Sequence, residues 1–117
     1  MKEKEKLPKY VEFEDWEKLD LRIGTIKAVE DHPDADKLYV IIIKFDEEPE
    51  RQLVAGLKGH YKKQDLIGKQ VVVFTNLKPI TIGGVESNGM ILAAVNRKDK
   101  VVLISPEKKI DNNSKIK

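Results

Sequence analysis

Two short runs, Val40-Ile41-Ile42-Ile43 and Val71-Val72-Val73-Phe74, restrict the possible folds more than anything else in the sequence. Both are unbroken and built from β-branched residues, with one Phe ending the second, and each is followed by a polar residue. Four residues are too few for a packed helix and far short of the ~20 that a bilayer span needs. They read as strands, and as strands apolar on both faces. A small barrel buries only the inward face of each strand. Something must therefore cover the outward one. Trp16, Leu19 and the apolar stretch 101–104 are candidates within the chain. A second copy is the other candidate, and the length of both runs favours a homodimer.

The other elements follow from period and punctuation. Phe13, Trp16 and Leu19 fall three apart, predicting a short helix with one apolar stripe. Residues 20–29 read as a strand interrupted by Gly24, and glycine inside a strand marks a bulge or bend. His32-Pro33-Asp34-Ala35-Asp36 is a turn, followed by a second strand over residues 37–45 and a loop over 46–50. Residues 52–55 form a third strand stopped by Gly56. Residues 57–67 give one or two helical turns closed by Gly68. A fourth strand spans 70–75 and a fifth 89–96, with 101–105 returning after a turn. Three strands, a short helix and two strands make the order of an OB-fold, a five-stranded Greek-key barrel. The fold class is thus all-β, with the short helix between strands 3 and 4 and extra elements at the ends. The expected division is a flexible N-terminal arm over residues 1–9, the barrel over 10–106, and a polar tail over 107–117 that is loose or tied down by a partner.

Reactive chemistry is scarce. The 117 residues contain no cysteine, which excludes disulfides, thiolate zinc sites and thiol nucleophiles. His32 and His60 each lie in a loop rich in Lys or Asp, where a solvent-exposed side chain is expected. Gly84-Val85-Glu86-Ser87-Asn88-Gly89 spaces Gly and Ser one residue too widely for a nucleophile elbow. No phosphate-cradling or dinucleotide glycine loop occurs, and Asp34-Ala35-Asp36 lacks the Gly and closing Glu of a calcium loop. No catalysis, no metal and no cofactor is expected. The first six residues lack the apolar core of a signal segment, so the expected setting is cytoplasmic, away from membranes. Charge is more informative. Residues 1–50 carry 9 Lys and Arg against 15 Asp and Glu, and residues 51–117 carry 13 against 5. An acidic half joined to a basic half suggests one positive face and a polyanionic partner.

Residues 76–90 concentrate polar groups among glycines. Gly83-Gly84 and Gly89 let the backbone turn and let a ligand approach. Lys78 offers a charge for a phosphate, Asn76, Ser87 and Asn88 offer donors and acceptors, and Met90 a flexible apolar contact. In an OB-fold the loop joining strands 4 and 5 flanks the nucleic-acid face. The same residues also suit plain hairpin chemistry, with Asn76 and Ser87 capping turns and Met90 in the core.

Four motifs occur in order: Asp20-Leu21-Arg22-Ile23-Gly24, His32-Pro33-Asp34-Ala35-Asp36-Lys37-Leu38, Val54-Ala55-Gly56-Leu57, and the stretch 76–93. Together they resemble the tRNA-binding domain at the C-terminus of bacterial methionyl-tRNA synthetases. Similar domains are the archaeal beta subunit of that enzyme, free-standing structure-specific tRNA-binding proteins, and the C-terminal module of the eukaryotic synthetase-associated cytokine precursor. The resemblance covers about residues 10–106. It implies an OB-fold, commonly homodimeric, that binds tRNA by shape more than by sequence. It implies that Ser87 and Met90 touch RNA, supported by Lys37, Asn76, Lys78 and Asn88. Arg22 is a further candidate, balanced by the alternative that it pairs with a neighbouring acid. The chain departs from the family where Ile80-Thr81-Ile82 replaces the basic residues that often follow Lys-Pro, a change that shifts expected contacts toward Lys58, Lys62 and Lys63. Beginning at Met1 and ending shortly after the domain, the chain resembles a stand-alone beta subunit that assists a methionyl-tRNA synthetase catalytic chain. Two other readings are an export-related chaperone that binds extended peptides on the same fold, and an architectural module that docks on synthetases without touching RNA.

Overall fold

Gly24 decides the path of the first strand. A Cβ there would lie 2.5 Å from Ile43 Cγ2 and 2.9 Å from Phe45 Cε1, so only glycine lets the strand press against β2 and its exit. In the computed structural model, which describes residues 6–117, that strand is β1, Leu21–Asp31. Its first part pairs with β4 (Gln70–Phe74) from Leu21↔Phe74 to Thr25↔Gln70. Its second part pairs with β2 (Tyr39–Lys44), with a bulge between Ile26 and Ala28. One long strand thereby serves two sides of a barrel, as a coiled first strand must.

Antiparallel pairing continues outward. β3 (Arg51–Ala55) pairs with β2, and β7 (Met90–Ile91) pairs with β4, giving the order β3-β2-β1-β4-β7. Two short hairpins complete the β structure: β5 (Ile80–Ile82) with β6 (Val85–Ser87), and β8 (Ala93–Val95) with β9 (Val101–Leu103). The helices are α1 (Phe13–Glu17) and α2 (Lys63–Leu66). The chain is all-β, an OB-type five-stranded barrel with a short helix between the third and fourth strands. Ile26, Ile41, Ile43, Phe45, Leu53 and Val71 are almost fully buried inside it.

The seam between β3 and β7 is closed largely by side chains. The Val54 N–H donates to Ser87 Oγ at 2.9 Å, the Asn88 N–H to Gln52 O at 2.9 Å, and Gln52 Nε2 to Glu86 O at 2.9 Å. Arg51 Nη1 reaches Thr75 O at 2.6 Å and Asn88 O at 3.3 Å. Gly89 stands in this seam, where a Cβ would lie 2.9 Å from Phe74 O and 3.1 Å from Leu53 Cδ2.

Four expectations change. Residues 76–88, read as a loop, contain the β5–β6 hairpin. The expected fifth strand divides at Leu92, whose N–H bonds Val72 O while its carbonyl accepts from the Ile104 N–H. The expected helical turns over 57–67 shrink to α2, because Leu57 and Tyr61 are held by turns instead. The tail is neither loose nor waiting for a partner: the Ile23 N–H donates to Ser114 O, and the Asn113 and Ile116 N–H groups donate to Ile23 O and Leu21 O. That segment occupies the side of β1 that β4 leaves free. Ile116 joins Phe74 and Leu92 in covering the outward-facing cluster of Leu21, Ile23 and Val72. The outer face is thus partly covered from within by the tail, and Trp16 and Leu19 line a cleft beside Ile116. The arm reading of residues 1–9 lies outside the described residues over 1–5, and residues 6–9 are exposed.

Candidate nucleic-acid interface

The β5–β6 hairpin governs where the sequence-derived residues fall. Its turn, Gly83-Gly84, has φ of 56° and 83°, and positive φ at both central positions is the I′ geometry that suits a two-residue hairpin. Lys78 stands before the base of this hairpin, exposed. Lys37 stands in the β1–β2 loop, which packs against the hairpin tip through His32, and it is exposed too. Neither lysine enters an ion pair among the described residues, so both charges remain available to a polyanion.

The other singled-out residues separate. Ser87, Asn88 and Met90 gather at the β3 seam. Ser87 is 4% exposed; its hydroxyl accepts from the Val54 N–H and lies 3.2 Å from Gly89 O, to which it donates. Asn88 contributes its backbone to the same seam. Met90 is 46% exposed on the outer side of β7, rather than in the core. Asn76 lies at the opposite end of the 75–89 excursion, where its amide accepts from the Asp20 N–H and donates to Lys18 O, both at 2.8 Å. It ties that excursion to the start of β1. Arg22 takes the ion-pair alternative: its guanidinium contacts Asp20 at 3.0 Å, Glu48 at 3.3 Å and Asn113 Oδ1 at 3.0 Å.

Acids on either side of the barrel organise cations. Partial burial pushes the Asp20 carboxyl up, but the Thr75 hydroxyl, Arg22 and Lys115 outweigh it and hold the group below the ordinary value of 3.8. At the far end of β1, slight desolvation of Asp31 is likewise outweighed by Lys58 and Lys63, both 3.4 Å away, and its carboxyl is also held low. Lysines of the basic half thus fold onto an acid of the acidic half. Lys62 stays exposed between them.

Sequence reading missed His32, which is buried rather than solvent-exposed. It also missed Arg51 as the clamp of the seam. Gly83 was half of the signal for His32: a Cβ at Gly83 would stand 2.7 Å from the imidazole Cε1. Gly83 and Gly89 admit the chain's own atoms, whereas Gly84 stands in open space. Among the described residues no three His, Asp or Glu side chains come together as a metal site.

A nearly closed OB barrel whose β4–β7 connection rises as a hairpin is the architecture in which that connection flanks a face for oligonucleotides or oligosaccharides. Comparison with known proteins makes this specific. Residues 21–115 match the tRNA binding domain family, and the chain belongs to that family. It is 49% identical over 108 residues to a methionine–tRNA ligase of Thermococcus onnurineus, covering 92% of this chain and 14% of that enzyme. It is 47% identical over 113 residues to the methionine–tRNA ligase of Pyrococcus horikoshii, covering 97% and 15%. The chain therefore spans about one-seventh of the length of these curated relatives. Among solved structures it is similar to a MetRS related protein from Pyrococcus horikoshii, with TM-score 0.86 and 28% identity over 93% of this chain and 99% of that one. It is also similar to the chaperone CsaA of Bacillus anthracis, with TM-score 0.85 and 34% identity over 92% and 99%.

Proposed function

We propose that this chain binds tRNA without catalysing a reaction and serves as the tRNA-binding, beta-type component of a methionyl-tRNA synthetase in the cytoplasm. The observation that carries the reading is the family match over residues 21–115, joined to Lys78 before the base of the hairpin and Lys37 on the loop that packs against its tip, neither ion-paired among the described residues. Lys37 and Lys78 meet phosphates, and Asn88 and Met90 meet the sugar–base surface beside the seam. Ser87 and Asn76 act through the backbone they hold, and Arg22 through the β1 entrance it braces. Aromatic residues are only 6% of the chain, which favours backbone and shape readout over a stacking platform. The module raises the local concentration of tRNA at the catalytic chain. Filter binding with bulk tRNA tests this: about 3–5 phosphate contacts give a slope of log K against log salt of about −2 to −5. A flat salt response overturns it.

The likeness to CsaA supports a second reading, capture of an extended apolar peptide along exposed Leu77, Ile80 and Met90. Competition of the tRNA complex by an unfolded polypeptide separates the two. In either case the protein works as a homodimer. That part of the proposal rests on α1, which has no buried residue, and on Phe13, Trp16 and Leu19 being exposed beside a cleft of about 310 Å³ shared with Ile116. Light scattering at working concentration reads the stoichiometry.

A further inference from the structure

His32 is the buried residue of a loop that is otherwise mostly exposed. Pro33, Asp34, Asp36 and Lys37 face solvent, whereas His32 is 5% exposed. Both ring nitrogens are in use. Nδ1 lies 3.0 Å from the Asp34 N–H and 3.1 Å from the Ala35 N–H, so it accepts and carries no proton. The proton is then on Nε2, which donates to Ile82 O at 2.8 Å. One imidazole thus shapes its own loop and fastens that loop to the turn of the β5–β6 hairpin. Gly83 is shaped to receive it, since a Cβ would stand 2.7 Å from Cε1 and 3.1 Å from Nε2. Gly84, also at positive φ, has nothing within 4 Å of its Cβ position. His32 belongs to neither apolar cluster, and the hairpin it holds is a two-stranded sheet of its own, joined to β3 through Glu86 and Ser87 but held at its turn by the imidazole.

We propose that His32 is a positioning residue for RNA binding: the His32–Ile82–Gly83 latch fixes the Lys37 loop against the hairpin whose base carries Lys78, and so sets the spacing at which the two lysines meet phosphates. The inference rests on the tRNA-binding reading. Asn76 already holds the chain beside Lys78 through Asp20 and Lys18; a Lys37 loop that moved independently of it would have to be ordered when RNA binds, and that ordering subtracts from affinity. The latch orders that loop beforehand. A residue that acted only through stability would change melting and leave the salt dependence of binding by the folded fraction untouched.

The experiment uses the full chain and bulk tRNA, with His32→Ala, Gly83→Ala, Gly84→Ala and Lys37→Ala. His32→Ala and Gly83→Ala each weaken binding by about tenfold and reduce the magnitude of the salt slope by about one, the size of one lost phosphate contact. The pair together is no weaker than either alone, because both break one latch. Adding Lys37→Ala to His32→Ala changes the slope no further. Gly84→Ala carries similar left-handed backbone strain without the clash, and it binds as wild type does. Wild-type affinity and slope in a folded His32→Ala overturn the proposal. Should that variant not fold, Gly83→Ala, which keeps the imidazole, decides the matter: unchanged affinity and slope overturn the proposal, and loss of both supports it. Hydrogen exchange at the Asp34 and Ala35 amides distinguishes this failure from that of the tRNA reading. Fast exchange in His32→Ala and slow exchange in wild type demonstrate the latch, so absent binding by wild type then overturns the tRNA reading and with it the positioning role. Equal exchange in both overturns the latch itself, whatever binds.

Discussion

Ser87 and Lys78, nine positions apart in one short stretch, act at different levels. Ser87→Ala removes the side-chain acceptor of the Val54 N–H at a buried seam and should cost about 1–3 kcal/mol, read as a fall in the urea midpoint at unchanged m. Lys78→Ala should leave that midpoint where it is. On the proposed reading its effect falls on tRNA affinity, where the magnitude of the salt slope should drop by about one. Asp20 gives a pH signature. Its native carboxyl titrates below the 3.8 of the unfolded chain. Its contribution is therefore complete at pH values above about 4 and is lost as pH falls through the native value. Asp20→Asn should flatten the acid limb of a stability–pH curve. The sequence shows a hydroxyl, a lysine and an amide among glycines, but not their roles. The partner of Ser87 is 33 residues away, and local spacing carries no sign of it. Arg22 was undecided in the sequence because only Asp20 among its partners is local, while Glu48 and Asn113 lie 26 and 91 residues away.

Elements were more legible than residues. The two apolar runs are β2 and β4, because β-branched density reports local conformation directly; Gly24, expected to mark a bulge or bend, instead keeps a regular register with Val71, and the bulge of β1 falls between Ile26 and Ala28. Gly24→Ala should destabilise the barrel by about 1–3 kcal/mol, the usual cost of forcing a methyl group into a filled core, measured by thermal melting. The β5–β6 hairpin escaped notice because three-residue strands hold too little alternation to read. Gly83-Gly84 between Ile80-Thr81-Ile82 and Val85-Glu86-Ser87 was its one clear mark. The break at Leu92 left no mark, since it arises where the chain passes from β4 to the β8–β9 hairpin. His32 was misread because loop composition predicts exposure on average, and a single ring filling the space beside a glycine is an exception that only the fold creates.

At the scale of the molecule, the C-terminal segment is the largest departure from expectation. Its polar composition hides that backbone and side chains bind together: three backbone hydrogen bonds reach β1, Asn112 bonds Thr25, Gln70 and Asp46, Asn113 bonds Arg22, and Ile116 is an apolar anchor. Deleting residues 113–117 removes three backbone hydrogen bonds to β1 and uncovers Leu21 and Ile23, which should cost roughly 2–4 kcal/mol in a urea titration. The outward apolar faces were read correctly as needing cover, but the sequence could not say which segment supplies it.

That pinned tail has an architectural consequence. Lys115, Ile116 and Lys117 line the same cleft as Phe13 and Trp16, so the two ends of the described chain meet on one side of the barrel. A fold whose ends lie together behaves as a pendant: a longer polypeptide can carry it on either flank without crossing the His32 clasp between the hairpin turn and the Lys37 loop.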